Sequence, residues 1–157
     1  KNRIKVYPIG KIENENSKTV LRLKPGYREG LKGLQIQPRA DPLGMDGCDD
    51  PKIRNILVEK RPYVHGPEEI GVFALQSPER PNPVAVSCAG ITCVDMESGT
   101  VGLDYIDAFS GSPVIDLKPY TPSLDRVEKP FTPEWCSHWP KSCEESGAFD
   151  WSSEFNF

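Results

Sequence analysis

Sixteen prolines and 13 glycines are distributed through 157 residues, and this punctuation constrains the fold more than any other feature of the chain. Proline removes a backbone donor and fixes φ, while glycine weakens helix interiors, so helices of ordinary length find few uninterrupted windows. Short strands joined by turns fit between the breaks. The expected fold is therefore mainly β, and the length suits one core. RIKVYPIGKI (3–12) alternates as a strand, and TVLRL (19–23) alternates apolar with basic residues as a second. PVAVSCAGITCV (83–94) is the longest strand signal, and a turn at Glu97, Ser98 and Gly99 leads into a partner over 101–106. VIDLKPY (114–120) reads as a further strand, and Thr132, Pro133 and Glu134 as the cap of one short helix ended by Pro140.

The formal net charge is −4, and no run of lysine or arginine marks a polyanion site. Arg22, Lys24, Arg28 and Lys32 form the best basic strip, although charges so spaced usually mark a solvated face. Five cysteines are an odd number and no apolar leader opens the sequence, so the expectation is a reduced, cytoplasmic protein without a disulfide framework. No apolar run reaches the roughly 18 residues of a membrane-spanning helix.

Two stretches carry chemistry. In SPERPNPVAVS (77–87), Arg80 and Asn82 each precede a proline, which drives both toward extended backbone and places them on one face. An arginine offers a planar fork to a carboxylate or phosphate, and an asparagine amide both donates to and accepts from a nucleobase edge. Alone, the stretch also reads as a rigid surface turn. In YIDAFSGSPVIDLKPY (105–120), a small-residue turn at Ser110, Gly111, Ser112 and Pro113 precedes a strand bearing Asp116 and Lys118. Such turns permit close backbone approach and offer N–H groups to a ligand. A plain hairpin with an Asp/Lys pair is the bland alternative.

GVFALQSPERPNPVAVS and SGSPVIDLKPY together resemble the TsaA/TrmO family, whose members carry an Arg-Pro-Asn-Pro signature and an Asp-Gly-Thr-Pro-Val…Asp-Ile-Lys-Pro-Tyr signature. The likeness is strongest over residues 70–120 and extends more loosely to KVYPIGKI. It implies a single-domain β-barrel over residues 1–130 with a Pro/Trp-rich extension over 131–157, which packs on the barrel or on a partner subunit. The implied activity is S-adenosylmethionine-dependent methylation, with a threonylcarbamoyl-modified adenosine of tRNA as the acceptor, and the implied assembly is a homodimer. The acidic net charge weighs against tRNA. The alternatives are a small-molecule methyltransferase and a non-catalytic S-adenosylmethionine-binding module.

Carried over by position, the resemblance assigns cofactor binding to Gln76, Ser77, Arg80, Asn82 and Pro83 on the first signature. On the second it assigns Ser110, Gly111, Ser112 and Pro113, with Asp107 standing in as a carboxylate for the ribose hydroxyls. Asp116, Lys118 and Tyr120 are the catalytic candidates, and His65 is a further possible proton acceptor. The chain departs from the family at Leu75 and Gln76, where Thr-Arg is usual, and at Ser110 to Ser112, where Asp-Gly-Thr is usual. GLKGL (30–34) also runs into QIQPRADPLGMDG instead of an aromatic Gly-Phe-Ser-His strand, which alters one barrel wall. Cys136, His138 and Cys143, with Cys48, give a spacing unlike paired C-x2-C ligands, and no metal is expected. Trp135, Trp139, Trp151, Phe155 and Phe157 make the tail a packing strap.

Overall fold

Asn16 and Ser17 both take positive φ, 50° and 62°, as a two-residue hairpin turn requires when its twist matches that of the flanking strands. They join β1 (Gly10–Glu15) to β2 (Lys18–Leu23), paired from Glu15 with Lys18 to Gly10 with Leu23. The computed structural model describes residues 4–35, 38–44 and 52–156, with 38–44 described by backbone alone. The chain divides into two compact units, residues 1–49 with 83–126 and residues 50–82 with 127–157.

The first unit is one curled sheet. β3 (Pro38–Gly44), β6 (Val84–Asp95), β7 (Thr100–Leu103), β8 (Pro113–Val114) and β9 (Lys118–Pro119) join the hairpin in the order β6-β7-β2-β1-β8-β3-β9. β6 also pairs with β3 along all seven residues of the latter, from Pro38 with Gly90 to Gly44 with Val84. That pairing joins one end of the strand order back to β3 and curls the sheet toward a barrel. The segment that departs from the family's aromatic strand therefore still supplies a barrel strand. Ile12, Leu21, Ile91, Val101 and Val114 are almost wholly buried, and with Leu23, Leu31, Ala89, Leu103 and Ile106 they form the interior cluster. Each comes from the inward set of an alternating strand or from a turn that folds over the barrel end.

The second unit is small and aromatic. β4 (Val58–Lys60) pairs antiparallel with β5 (Glu69–Gly71), and Tyr63 bridges to Phe155. Trp135, Trp139 and Phe155 pack against buried Tyr63, Ile70 and Leu75. The Tyr63 ring stacks on Trp135 at 5.0 Å and meets Trp139 edge-on at 5.1 Å. Glu154 is buried beside them, accepting from Trp139 Nε1 at 2.9 Å and lying 2.8 Å from His138 Nε2.

Several expected elements are shorter than the sequence pattern implies, for local reasons. The first strand begins only at Gly10. The strand over 101–106 ends at Leu103 because the Asp104 carboxylate takes the amides of Gly90 and Tyr105 into its own bonds. The strand over 114–120 splits into β8 and β9, with Asp116 Oδ1 accepting from Leu117 N in the gap. The expected helix near Pro133 is a three-residue 3-10 turn, Glu134–Cys136. Two four-residue helices, α1 (Pro122–Asp125) and α2 (Cys143–Ser146), were not anticipated; Ser142 caps the second by accepting from Glu145 N.

Candidate functional site

The first signature forms a tight loop. Arg80 N donates to Pro78 O at 2.9 Å, a bond that bends the chain between the two, so the expected straight extended run through Arg80 is replaced by a turn. The Arg80 guanidinium reaches back over the preceding residues. Nε donates to Ser77 O at 2.6 Å, and Nη2 donates to Val72 O at 2.7 Å and to Leu75 O. In this structure Arg80 holds the backbone of 72–77 in place, while Gln76 and Asn82 are exposed and Pro83 is buried at the head of β6. The shared Arg80/Asn82 face expected from the proline spacing is thus absent: one side chain folds inward on its own loop and the other faces solvent.

The second signature is stitched to β1. Gly111 N donates to Ile12 O and Ile12 N donates to Ser112 O, at 2.8 and 2.9 Å. Asn14 N donates to Ser110 Oγ and Asn14 Nδ2 to Ala108 O. Gly111 has φ +99°, a conformation side chains rarely adopt, so glycine is needed there. Because Ser112 N also donates, to Phe109 O, the amides of Gly111 and Ser112 are engaged within the protein and do not offer themselves to a ligand as the sequence suggested. Ser112 is buried, whereas Asp107, Ser110 and Gly111 are exposed.

Two clefts of the barrel unit flank this signature. One, of about 390 Å³, is lined by Ile9, Leu23, Tyr27 and the turn from Gly30 to Leu34, and on the signature side by Asp116, Leu117 and Pro119. Asp116 and Lys32 are its opposite charges. The second, of about 440 Å³, is lined by Lys11, Arg22, Lys24 and Arg28 over a floor of Pro8, Gly10, Pro25, Gly111 and Pro113. The sequence strip of Arg22, Lys24, Arg28 and Lys32 is thereby divided, three residues to one cleft and Lys32 to the other. Lys11 joins the three only because β1 and β2 are adjacent, a pairing invisible to a search for consecutive basic residues. Glu13, bonded to Arg22 and Lys11, has its carboxyl held below the ordinary value of 4.5 by those bonds.

The remaining candidates lie apart within the chain. No ion pair joins Asp116 to Lys118 among the described residues, and Tyr120 is half-buried. His65 lies in the aromatic unit, its ring 5.5 Å from that of His138. Cys136 is buried and donates to Pro133 O; Cys48 lies outside the described residues, and no group of three or more His, Cys, Asp or Glu side chains is arranged to hold a metal among the described ones. No helix among the described residues is long and apolar enough to cross a membrane.

A family match spans both signatures. The model of the tRNA-methyltransferase O N-terminal domain matches residues 2–126. A probable S-adenosyl-L-methionine-binding protein of Pyrococcus horikoshii is 34% identical over 125 residues, covering 77% of this chain and 85% of that protein. A tRNA (adenine(37)-N6)-methyltransferase of Eikenella corrodens is 38% identical over 68 residues, covering 41% of this chain and 37% of its own length. The crystal structure of TrmO from Pseudomonas aeruginosa superposes with a TM-score of 0.61 at 24% identity, a likeness of fold, and the match covers 83% of this chain but only 62% of that one. With the domain match running through both signatures and the barrel that carries them, the chain belongs to the tRNA-methyltransferase O N-terminal domain family, the TsaA/TrmO family.

Proposed function

We propose that this chain is an S-adenosylmethionine-dependent methyltransferase acting on an adenosine of tRNA, with the exocyclic nitrogen of a threonylcarbamoyl-modified adenosine as its acceptor. The observation that carries this reading is the family match over residues 2–126. The proposed cofactor contacts are those of the two signatures: Gln76, Ser77, Arg80, Asn82 and Pro83 on the first, and Asp107 with Ser110 to Pro113 on the second.

The residues present fit the cofactor. It is zwitterionic and carries a sulfonium, and the proposed contacts offer it the exposed Asp107 carboxylate and the exposed Gln76 and Asn82 amides, while the Asp116 cleft, which none of them lines, has a volume ordinary for a small-molecule site and is left to the acceptor. When bound, the cofactor supplies an electrophilic methyl group, and the N–C bond forms as the S–C bond breaks with its electron pair passing to sulfur. What the protein supplies is alignment and exclusion of water. Asp116 is oriented by the bond its Oδ1 accepts from Leu117 N, which leaves Oδ2 as the proposed acceptor of the proton released from nitrogen. Lys118 and Tyr120 are proposed to position the acceptor base.

The same proposal includes a cytoplasmic homodimer and a chain organised as a barrel over 1–130 with an extension over 131–157. Val86 on β6 and Phe109 beside the second signature are 72% and 78% exposed, apolar surface that supports association. Transfer of labelled methyl groups to total tRNA from a strain lacking its own enzyme tests the activity. Labelling by the parent, lost in Asp116→Asn with cofactor binding retained in calorimetry, is the expected result. Cofactor binding with transfer only to a small-molecule fraction would replace the tRNA reading.

A further inference from the structure

Four cations of the barrel unit line the basic cleft. Lys11 comes from β1, Arg22 from β2, Lys24 from the end of β2 and Arg28 from the turn over 25–31. Glu13 pairs with Lys11 and Arg22, and Asp95 lies within electrostatic reach of Arg28, two acids against four bases. The chain as a whole is net acidic at −4, so a cluster of this sign is a local arrangement and not a consequence of composition. The cations are also held ready. Arg28 Nη1 donates to Glu97 O at 2.7 Å, and Arg28 lies over Gly99, where an added Cβ would come within 2.8 Å of its side chain. Arg22 Nη1 donates to Thr100 Oγ1. Lys11 and Lys24 are exposed, as flexible point charges on the rim.

The floor between these charges is proline and glycine, and two of its members, Gly111 and Pro113, belong to the second signature itself. A ligand in this cleft lies against the loop that the family signature gives to the cofactor. The lining of the cleft combines proline, glycine and leucine with four cationic side chains, the complement of a ribonucleotide segment that offers planar bases and a row of phosphates.

We propose that this cleft, through Lys11, Arg22, Lys24 and Arg28, docks the phosphodiester backbone of the RNA substrate and brings the target nucleotide to the Ser110–Pro113 loop. The proposal rests on the tRNA reading above for the identity of the RNA, but not for the chemistry of the site.

The test is RNA binding by the full chain as a function of salt, with total tRNA and with a short unmodified single-stranded RNA as probes, alongside labelled methyl transfer to the tRNA. Lys11→Gln with Lys24→Gln removes two proposed phosphate contacts. The slope of log affinity against log salt should become shallower by about one per lysine, with weakening uniform across RNA sequences. The KM for tRNA should rise while calorimetric affinity for S-adenosylmethionine is unchanged. Lys129→Gln, an exposed lysine outside the cleft, should leave the slope as in the parent. Parent-like slope and KM in the double variant, with tRNA still labelled, overturns the docking proposal and leaves the tRNA reading intact. An equal loss of slope in Lys129→Gln also overturns it, since the effect would then be one of net charge. Cleft-dependent binding of the short RNA without any labelling of tRNA upholds the docking site and defeats the tRNA reading.

Discussion

Arg80 turns its guanidinium back onto the loop that carries it. The two prolines suggested a fork held out to a ligand; in the fold Nε and Nη2 hold the carbonyls of Val72, Leu75 and Ser77. The arginine thus fixes the loop that presents Gln76 and Ser77. Arg80→Ala should destabilise the protein by about 1.5–3 kcal/mol, the scale for lost hydrogen bonds to a charged group. It should weaken cofactor binding in parallel. Arg80→Lys should restore little, because an ammonium cannot reproduce a planar fork that spans three acceptors. Thermal melts and calorimetry on both variants check this, and loss of affinity with an unchanged melting temperature would leave Arg80 with direct cofactor contact alone and no part in holding the loop. The importance of the residue was legible from its proline setting, but its direction was not, since the acceptors are backbone carbonyls common to every sequence.

At the scale of elements, the second signature works because β1 holds it. Gly111→Ala forces a side chain into φ +99° and should cost about 1–2 kcal/mol, with reduced methyl transfer because the loop shifts. A melting curve and a kinetic assay of the same sample test both parts. In the aromatic unit, Trp139 stacks edge-on against Tyr63 and Trp151 and donates to Glu154. Trp139→Ala should therefore cost about 3 kcal/mol by cavity formation and leave Glu154 with His138 as its remaining side-chain partner.

Glu154 also sets an acid limit. Its carboxyl is held below the ordinary 4.5, first by the Trp139 bond and then by His138. A group whose pKa is lower folded than unfolded stabilises the fold at pH above its unfolded value, and that contribution is lost as pH falls through the folded value. Stability should thus decline on acidification below about pH 4.5, and Glu154→Gln should flatten that decline in a pH series of melts. The strand pattern of β2 and β6 was readable from alternation. The breaks at Asp104 and Asp116 were not, because a side-chain carboxylate that captures local amides overrides an alternating pattern without altering it.

At the scale of the whole chain, composition and site point in opposite directions. A net charge of −4 argued against RNA, and a linear reading of Arg22, Lys24, Arg28 and Lys32 gave only a strip. Strand pairing gathers three of these with Lys11 into one cleft, so the sign of the total charge was a poor guide to the sign at the site. The mainly β architecture was legible because prolines and glycines exclude long helices. The division into two units was not, because residues 50–82 join residues 127–157 across the intervening strands. Whether the chain methylates tRNA is decided by mass spectrometry of nucleosides digested from tRNA after incubation with the chain and isotopically labelled S-adenosylmethionine. Label is expected on a modified adenosine, in an amount that falls as salt rises. Saturable binding of the cofactor with no labelled nucleoside at any salt concentration would contradict tRNA methylation.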